Sequence, residues 1–220
     1  MIATVIWAAM AVKRKVRSAP GGRRTRVHGE ESRERILEAA REIAGERGYD
    51  GTSIALVSER SGLPASSIYW HFEDKDHLLA AVIERSFNRW LEGIGAWMPA
   101  TDGATRQERM RASLRRIAQA LTEAPDFLRL GLMLALERRP EEATARTLFL
   151  QVREQSYKQL VTSYETFFEE LDAKAVRALA TLTMAAADGL FIRREVDGDS
   201  RAFEASFELL GAALLGAAGH

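Results

Sequence analysis

From Ser32 to the C-terminus, apolar residues recur at spacings of three and four, and no run of strand-like alternation interrupts them. A chain with only that period buries its apolar side chains by packing helix on helix. Prolines decide where those helices stop, because a proline inside a helix removes a backbone hydrogen bond and clashes with the preceding turn. Together with Gly48 and Gly62, Pro64, Pro99, Pro125 and Pro140 cut the sequence into segments. The first runs from about Ser32 to Gly48, with Ile36, Ala40, Ile43 and Ala44 on one face. A second starts at the hydroxyls of Thr52 and Ser53 and ends at Ser61, and a third covers Ala65 to His71. Then follow Lys75 to Trp97, Arg106 to Leu121, Asp126 to Glu137, Thr144 to Leu171, Ala173 to Glu195 and Arg201 to Ala218. The expected fold is all-α with about nine helices, and Asp126 to Glu137, apolar nearly all round, is expected to be buried.

Composition narrows the chemistry. With 46% hydrophobic and 28% charged residues in 220, the chain has the balance of a soluble, folded protein. The absence of cysteine excludes a disulfide framework, a thiol nucleophile and a thiolate zinc site. His28, His71, His77 and His220 form neither HExxH nor a pair of Glu-x-x-His motifs, so no metal and no cofactor are expected. No glycine-rich phosphate loop or Gly-x-Ser-x-Gly elbow is present, which argues against an enzyme. Lys plus Arg and Asp plus Glu both number 31, so any nucleic-acid reading rests on where charges lie. Lys13, Arg14, Lys15, Arg17, Arg23, Arg24 and Arg26, broken by Pro20-Gly21-Gly22, read as a flexible basic arm. The apolar run before it, Ile2 to Val12, falls well short of the ~20 residues of a membrane-spanning helix. Its positive charges follow it instead of preceding it as in a secretory signal. Three readings of that run stay open: a leader added by an upstream start, a tail that docks weakly or not at all, or a targeting segment. The expected division is an arm over 1–31, one domain over 32–80 and a second over 81–220.

The stretch Ile54 to Phe72, IALVSERSGLPASSIYWHF, reads as two short helices around a glycine turn. Val57, Leu63 and Ile68 are spaced for a small shared core, while Ser58 and Ser61 allow close helix approach. That is helix-turn-helix spacing, in which the second helix enters the DNA major groove. The surrounding run from Arg33 to Ser86 resembles the DNA-binding domain of the tetracycline-repressor (TetR) family. The matching residues are Ile36-Leu37-Glu38-Ala39-Ala40, Gly48 through Ile54, Gly62-Leu63, Ser67 through Phe72, Lys75 and Leu78-Leu79. Pro64-Ala65 departs from the polar pair found in many members.

The resemblance implies a ligand-responsive regulator, a repressor in the usual case, that binds double-stranded operator DNA as a homodimer in the cytoplasm, with no membrane role. It implies DNA contacts from Thr52, Ser53, Ala65, Ser66, Ser67, Tyr69, Trp70, His71 and Lys75. Thr52, Ser53, Tyr69, His71 and Lys75 carry donors suited to phosphates, and Ala65, Ser66, Ser67 and Trp70 sit where a recognition helix meets base edges. No arginine lies on this helix, so the commonest guanine contact is missing. Between positions 32 and 80 six basic residues face nine acidic ones, a net charge of −3, which leaves the basic arm as a source of phosphate contacts.

Beyond Pro99 the resemblance implies a divergent ligand-binding and dimerisation domain. Trp90, Trp97, Phe127, Leu130, Met133, Leu134, Phe149, Val152 and Met184 are candidates to line a mostly apolar pocket for a small-molecule effector, with plain core as the competing role. Val176, Leu179, Thr183, Ala186 and Leu190, with Phe203, Phe207, Leu210 and Leu214, form the seams expected to pair two copies as a four-helix bundle. Asp188 and Glu137-Arg138-Arg139 stand out among the later charges and are expected to be solvated or paired. The alternatives to a regulator are a helical adaptor that does not bind DNA and an all-α enzyme.

Overall fold

The computed structural model describes residues 23–94, 103–137 and 143–219. Among them are nine helices and no strand: α1 (Arg23–Arg47), α2 (Ile54–Ser61), α3 (Ala65–His71), α4 (Lys75–Ile94), α5 (Arg106–Glu123), α6 (Asp126–Leu136), α7 (Thr144–Phe167), α8 (Ala173–Asp197) and α9 (Ser200–Ala217). The all-α expectation holds, and most boundaries fall within a turn of those read from periodicity. The start of α1 does not. Arg23, Arg24 and Arg26, expected in a flexible arm, are helical, and so is the rest of 27–31. Ser32 is not a cap: its hydroxyl donates to the His28 carbonyl one turn earlier at 2.8 Å, the bond a serine makes inside a helix. Residues 1–22, which hold the apolar run and the rest of the basic arm, lie outside the described residues.

The chain divides into two compact units. One holds the described residues up to Arg85 together with those of Arg129–Leu150, and the other those of Ser86–Leu128 and from Gln151 onward. The expected boundary at residue 80 is corrected, because a downstream segment folds with the N-terminal helices. Specific contacts bind it there. The Arg129 guanidinium lies 3.7 Å from where a Cβ on Gly45 would sit, and the Met133 methyl 2.9 Å from the same point on Gly48. Asp76 accepts from the backbone N–H groups of Thr144 and Ala145.

In the first unit, Ile36, Leu37, Ala40, Ile43 and Ala44 of α1 are buried with Val57, Ile68, Phe72, Leu78, Leu79, Val82 and Ile83. Leu63, expected in that core, is only half-buried; its carbonyl instead accepts from Ser58 Oγ at 2.7 Å and ties down the turn. Gly62 makes the turn with φ 65°, a left-handed conformation that favours glycine. From α1, Arg35 donates to the Ser61 carbonyl at 2.6 Å, satisfying one orphan acceptor at the end of α2.

In the second unit α9 packs on α5 and on α8. Met110, Leu114, Ile117 and Leu121 of α5 are buried, as are Val176, Leu179 and Phe191 of α8 and Phe203, Phe207, Leu210 and Leu214 of α9. Tyr164 is buried and bonds Thr183 at 2.8 Å; Thr183 donates onward to the Leu179 carbonyl. Burial pushes the Tyr164 phenol up to about 12. Asp188 is paired: Arg153 grips both its carboxylate oxygens, at 2.8 and 2.5 Å. By length and composition α8 is apolar enough to cross a membrane, a consequence of its alanines and of Leu, Ile and Val on its outer side. The expectation that α6 is buried all round is corrected, since Met133 and Leu136 are exposed.

Candidate nucleic-acid interface

The helix-turn-helix is assembled from its ends inward. Ser53 is the N-cap of α2, its extended backbone presenting Oγ to the Leu56 N–H at 3.3 Å. Pro64 precedes α3 with φ −63° and its carbonyl accepts from Ser67 at 2.9 Å, so α3 starts without a side-chain cap. With seven residues α3 makes two turns, and Ile68 and the following Phe72 anchor it inward. The opposite side is left to solvent: Ser66 is exposed, Tyr69 is 56% exposed and Trp70 62%. Ala65 and Ser67 are half-buried. Exposing two large aromatic rings costs a free chain favourable burial, and on a short helix that is the mark of a contact surface.

The Trp70 ring does not stand free. It meets His71 edge-on with centroids 4.5 Å apart, and it lies 3.8 Å from where a Cβ on Gly29 would sit. The early turns of α1 therefore run beside the recognition helix, which no periodicity argument located. His71 is half-buried, and burial, then the Arg33 charge, hold its pKa below the usual histidine value. Near neutral pH its ring is uncharged.

Two of the expected phosphate donors behave differently from the expectation. Thr52 is only 2% exposed and its hydroxyl donates to the Gly48 carbonyl at 2.8 Å, so it holds the turn and is removed from the contact set. Lys75 is half-buried: its Nζ lies over the Tyr49 ring at 4.4 Å and donates to the Tyr49 carbonyl at 3.2 Å. Sequence reasoning passed over Gly29, Arg33, Tyr49 and Asp76. The one available signal was the acidic Asp76 in the first turn of α4.

The headpiece charge is less hostile to DNA than its sum. Arg60 bonds Glu42 and Glu46, and Arg85 bonds Glu34 and Glu38, all within 3.3 Å. The hydrogen bond from Arg41, with both arginine charges, holds Glu38 below the usual carboxylate range. Such pairs cancel over distances shorter than the ~8–10 Å Debye length, so the α1 carboxylates contribute little field farther out.

Residues 36–82 match the bacterial regulatory proteins of the tetR family, and the matched span covers α2, α3 and the C-terminal half of α1, ending in α4. Over that span the chain is similar to the tetR family. Over 172 residues this chain is 27% identical to the HTH-type transcriptional repressor Rv1353c of Mycobacterium tuberculosis, covering 77% of this chain and 63% of that protein. The chain thus spans under two-thirds of that relative's length. Its fold is shared with the fatty acid degradation regulator FadR of Bacillus halodurans, at TM-score 0.67 and 17% identity over 84% of this chain and 95% of that one. It is also shared with FadR of Bacillus subtilis, solved in complex with stearoyl-CoA, at TM-score 0.62 and 18% identity over 80% and 96%. All three are regulators.

The downstream residues sort into distinct environments. Phe87, Trp90 and Phe127 cluster with ring centroids 5.1 to 5.5 Å apart, and the buried Trp90 Nε1 has no hydrogen-bond partner among the described residues. Val152 is buried and Met184 half-buried in the same unit. In the other unit Leu130 and Leu134 are core, Phe149 fills the space against Gly131, and Met133 turns toward Gly48. Leu130, Leu134 and Phe149 are accounted for by packing, while Met133 stays partly in solvent. Trp97 lies outside the described residues.

The expected dimer seam is corrected. Val176, Leu179, Thr183, Phe203, Phe207, Leu210 and Leu214 are buried inside their own unit, and Ala186 and Leu190 are half-buried. The strong apolar stripe of each helix satisfies the chain's own core first. The outer side of α8 instead carries Ala178, Leu182, Ala185, Gly189, Ile192 and Val196, all exposed, at alternating spacings of four and three. On α9 the outer residues are Ala205, Leu209, Ala212 and Gly216.

Proposed function

We propose that this protein is a homodimeric, cytoplasmic transcriptional repressor that binds a near-palindromic operator and is released by a small, mostly apolar effector. The observation that carries the reading is α3: a two-turn helix anchored by Ile68 and Phe72 that presents Ser66, Tyr69 and Trp70 to solvent. Ser66, Ser67, Ala65 and Trp70 read bases, while Ser53, Tyr69, His71 and Lys75 hold phosphates.

The dimer forms through the outer stripes of α8 and α9. Gly189 and Gly216 support this reading, because a Cβ at either would meet nothing among the described residues within 4 Å. A glycine that its own fold does not need is suited to a close-approaching partner helix. The exposed Leu182, Ile192, Val196 and Leu209 fill the seam around those small residues. A two-fold pair then sets two copies of α3 about one DNA turn, roughly 34–36 Å, apart.

The effector is apolar because the unsatisfied Trp90 Nε1 sits among aromatic rings, leaving one donor in an otherwise greasy environment. A relative in fold that takes stearoyl-CoA supports the same class. Trp90, Phe127, Val152 and Met184 are the lining residues of this reading.

Selection of bound duplexes from a random DNA library tests the reading. The expected result is a near-palindromic site that outcompetes bulk genomic DNA at physiological salt. Binding no tighter to any selected duplex than to bulk DNA would overturn it.

A further inference from the structure

Asp76 is the second residue of α4, yet its carboxylate serves two other elements. Oδ2 accepts from the Thr144 N–H at 2.5 Å and Oδ1 from the Ala145 N–H at 3.2 Å, the first two residues of α7. Oδ1 also accepts from the Tyr49 hydroxyl at 3.0 Å. Tyr49 in turn carries Lys75, with Nζ over its ring at 4.4 Å and bonded to its carbonyl at 3.2 Å. A continuous chain of contacts thus runs from the start of α7 through Asp76 and Tyr49 to Lys75, all inside one compact unit.

The chemistry of each link is one-directional. The first N–H groups of a helix have no partner within it and carry the positive end of its dipole, so an ionised carboxylate is the group best suited to them. A carboxylate accepts and never donates while ionised, and its two oxygens have room for three donors at once. Tyr49 has one proton to give and gives it to Asp76, which fixes the ring on which Lys75 rests. Met133 sits against Gly48, the neighbour of Tyr49, so the same corner is held from α6 as well.

We infer that Asp76 is a positioning residue for DNA binding: it takes its place from the N-terminus of α7 and, through Tyr49, sets where the Lys75 ammonium stands. The inference rests on the DNA-binding reading above and adds to it a dependence on residues far outside the helix-turn-helix. Displacing the start of α7 moves the carboxylate, frees the phenol and lets Lys75 leave its phosphate position.

Two substitutions cut the chain of contacts at different links. Thr144→Pro deletes one N–H donor at the first position of α7, where proline is already suited to the helix. Tyr49→Phe deletes only the hydroxyl and leaves the ring under Lys75. Affinity for the duplex selected by the full-length wild type is measured by fluorescence anisotropy across a salt series. Each variant is expected to bind about fivefold more weakly, the scale of one net hydrogen bond, with unchanged circular dichroism. Each is also expected to lower the slope of log affinity against log salt toward that of Lys75→Ala, which loses about one contact. The double variant is expected to lose less than the product of the two single losses, because both act on one chain.

Wild-type affinity and slope in Tyr49→Phe and in a folded Thr144→Pro, with the loss seen only in Lys75→Ala, overturns the inference and leaves the DNA-binding reading intact. An unchanged slope in Lys75→Ala overturns it at its last link. If the wild type selects no duplex, the DNA-binding reading falls and takes the inference with it.

Discussion

Helices α3 and α8 both leave apolar side chains in solvent, and they differ in which sizes they leave there. On α3 the exposed residues are the largest, Tyr69 and Trp70, while the aliphatic Ile68 goes inward. On α8 the large residues Val176, Leu179 and Phe191 go inward, and the outside is a run of alanine and glycine punctuated by Leu182, Ile192 and Val196. A two-turn helix has too little surface to bury every apolar group, so its outward aromatics are read as contacts. A seven-turn helix has a full core stripe, and the residues left for a partner are the small ones that let another helix approach. The strongest apolar period in a long helix therefore reports its own core, and the weaker, small-residue period beside it is the one left for the proposed partner.

The sharpest way to break this contrast is to truncate both stripes. Phe207→Ala, on the inner stripe of α9, is expected to cost about 3–5 kcal/mol of stability, measured as a shift in the urea midpoint. A stable Phe207→Ala that no longer associates would return that stripe to the interface. Leu182→Glu together with Leu209→Glu, on the outer stripes, is expected to leave helical content and stability within about 0.5 kcal/mol per site and to turn a sedimenting dimer into a monomer. A double variant that stays dimeric at micromolar concentration would remove α8 and α9 from the assembly.

At the helix-turn-helix the effects are smaller. Trp70→Ala is expected to cost about 1–3 kcal/mol at the selected site and little on bulk DNA. Equal losses on both would make Trp70 a phosphate-side contact and not a base reader. Ser53→Ala, which removes the cap of α2, is expected to lower thermal stability by about 1 kcal/mol. The smallest effect is that of pH on His71. Its pKa in the free protein is held below 6.5 by burial and by Arg33, and a nearby phosphate raises it, so DNA binding takes up a proton. Affinity should therefore rise as pH falls through that range, by at most about tenfold per unit, and His71→Gln should flatten the rise. Over the same range the free protein loses stability, because the unfolded histidine, with the higher pKa, protonates first.

The fold was legible in the sequence because helix ends are local chemistry. Gly48 and Gly62 sit at left-handed turns, and Pro125 separates α5 from α6. The start of α1 was not legible, since Gly29 and Ser32 look like a boundary and only the Ser32 bond to His28 shows the helix running through. In the interface, the exposure of Tyr69 and Trp70 followed from the short helix they share. Thr52 was misread because a hydroxyl before a helix offers the same pattern whether it faces a phosphate or the Gly48 carbonyl. The Asp76 contacts could not be seen at all, since they join residues 68 and 69 positions apart with no periodic signal between them.

Position 131 restricts how this chain is free to change over generations. The Phe149 ring lies 2.0 Å from where a Cβ on Gly131 would sit, so even alanine there collides with an aromatic ring that is itself fully buried. The two sites form a pair with a fixed mutational order: Phe149 must become smaller before Gly131 becomes larger, and the reverse order passes through a chain whose α6 and α7 no longer close. The intermediate that is open to drift, a small residue at 149 beside Gly131, carries a void of ring size, and at that step a lineage would acquire new space between these two helices.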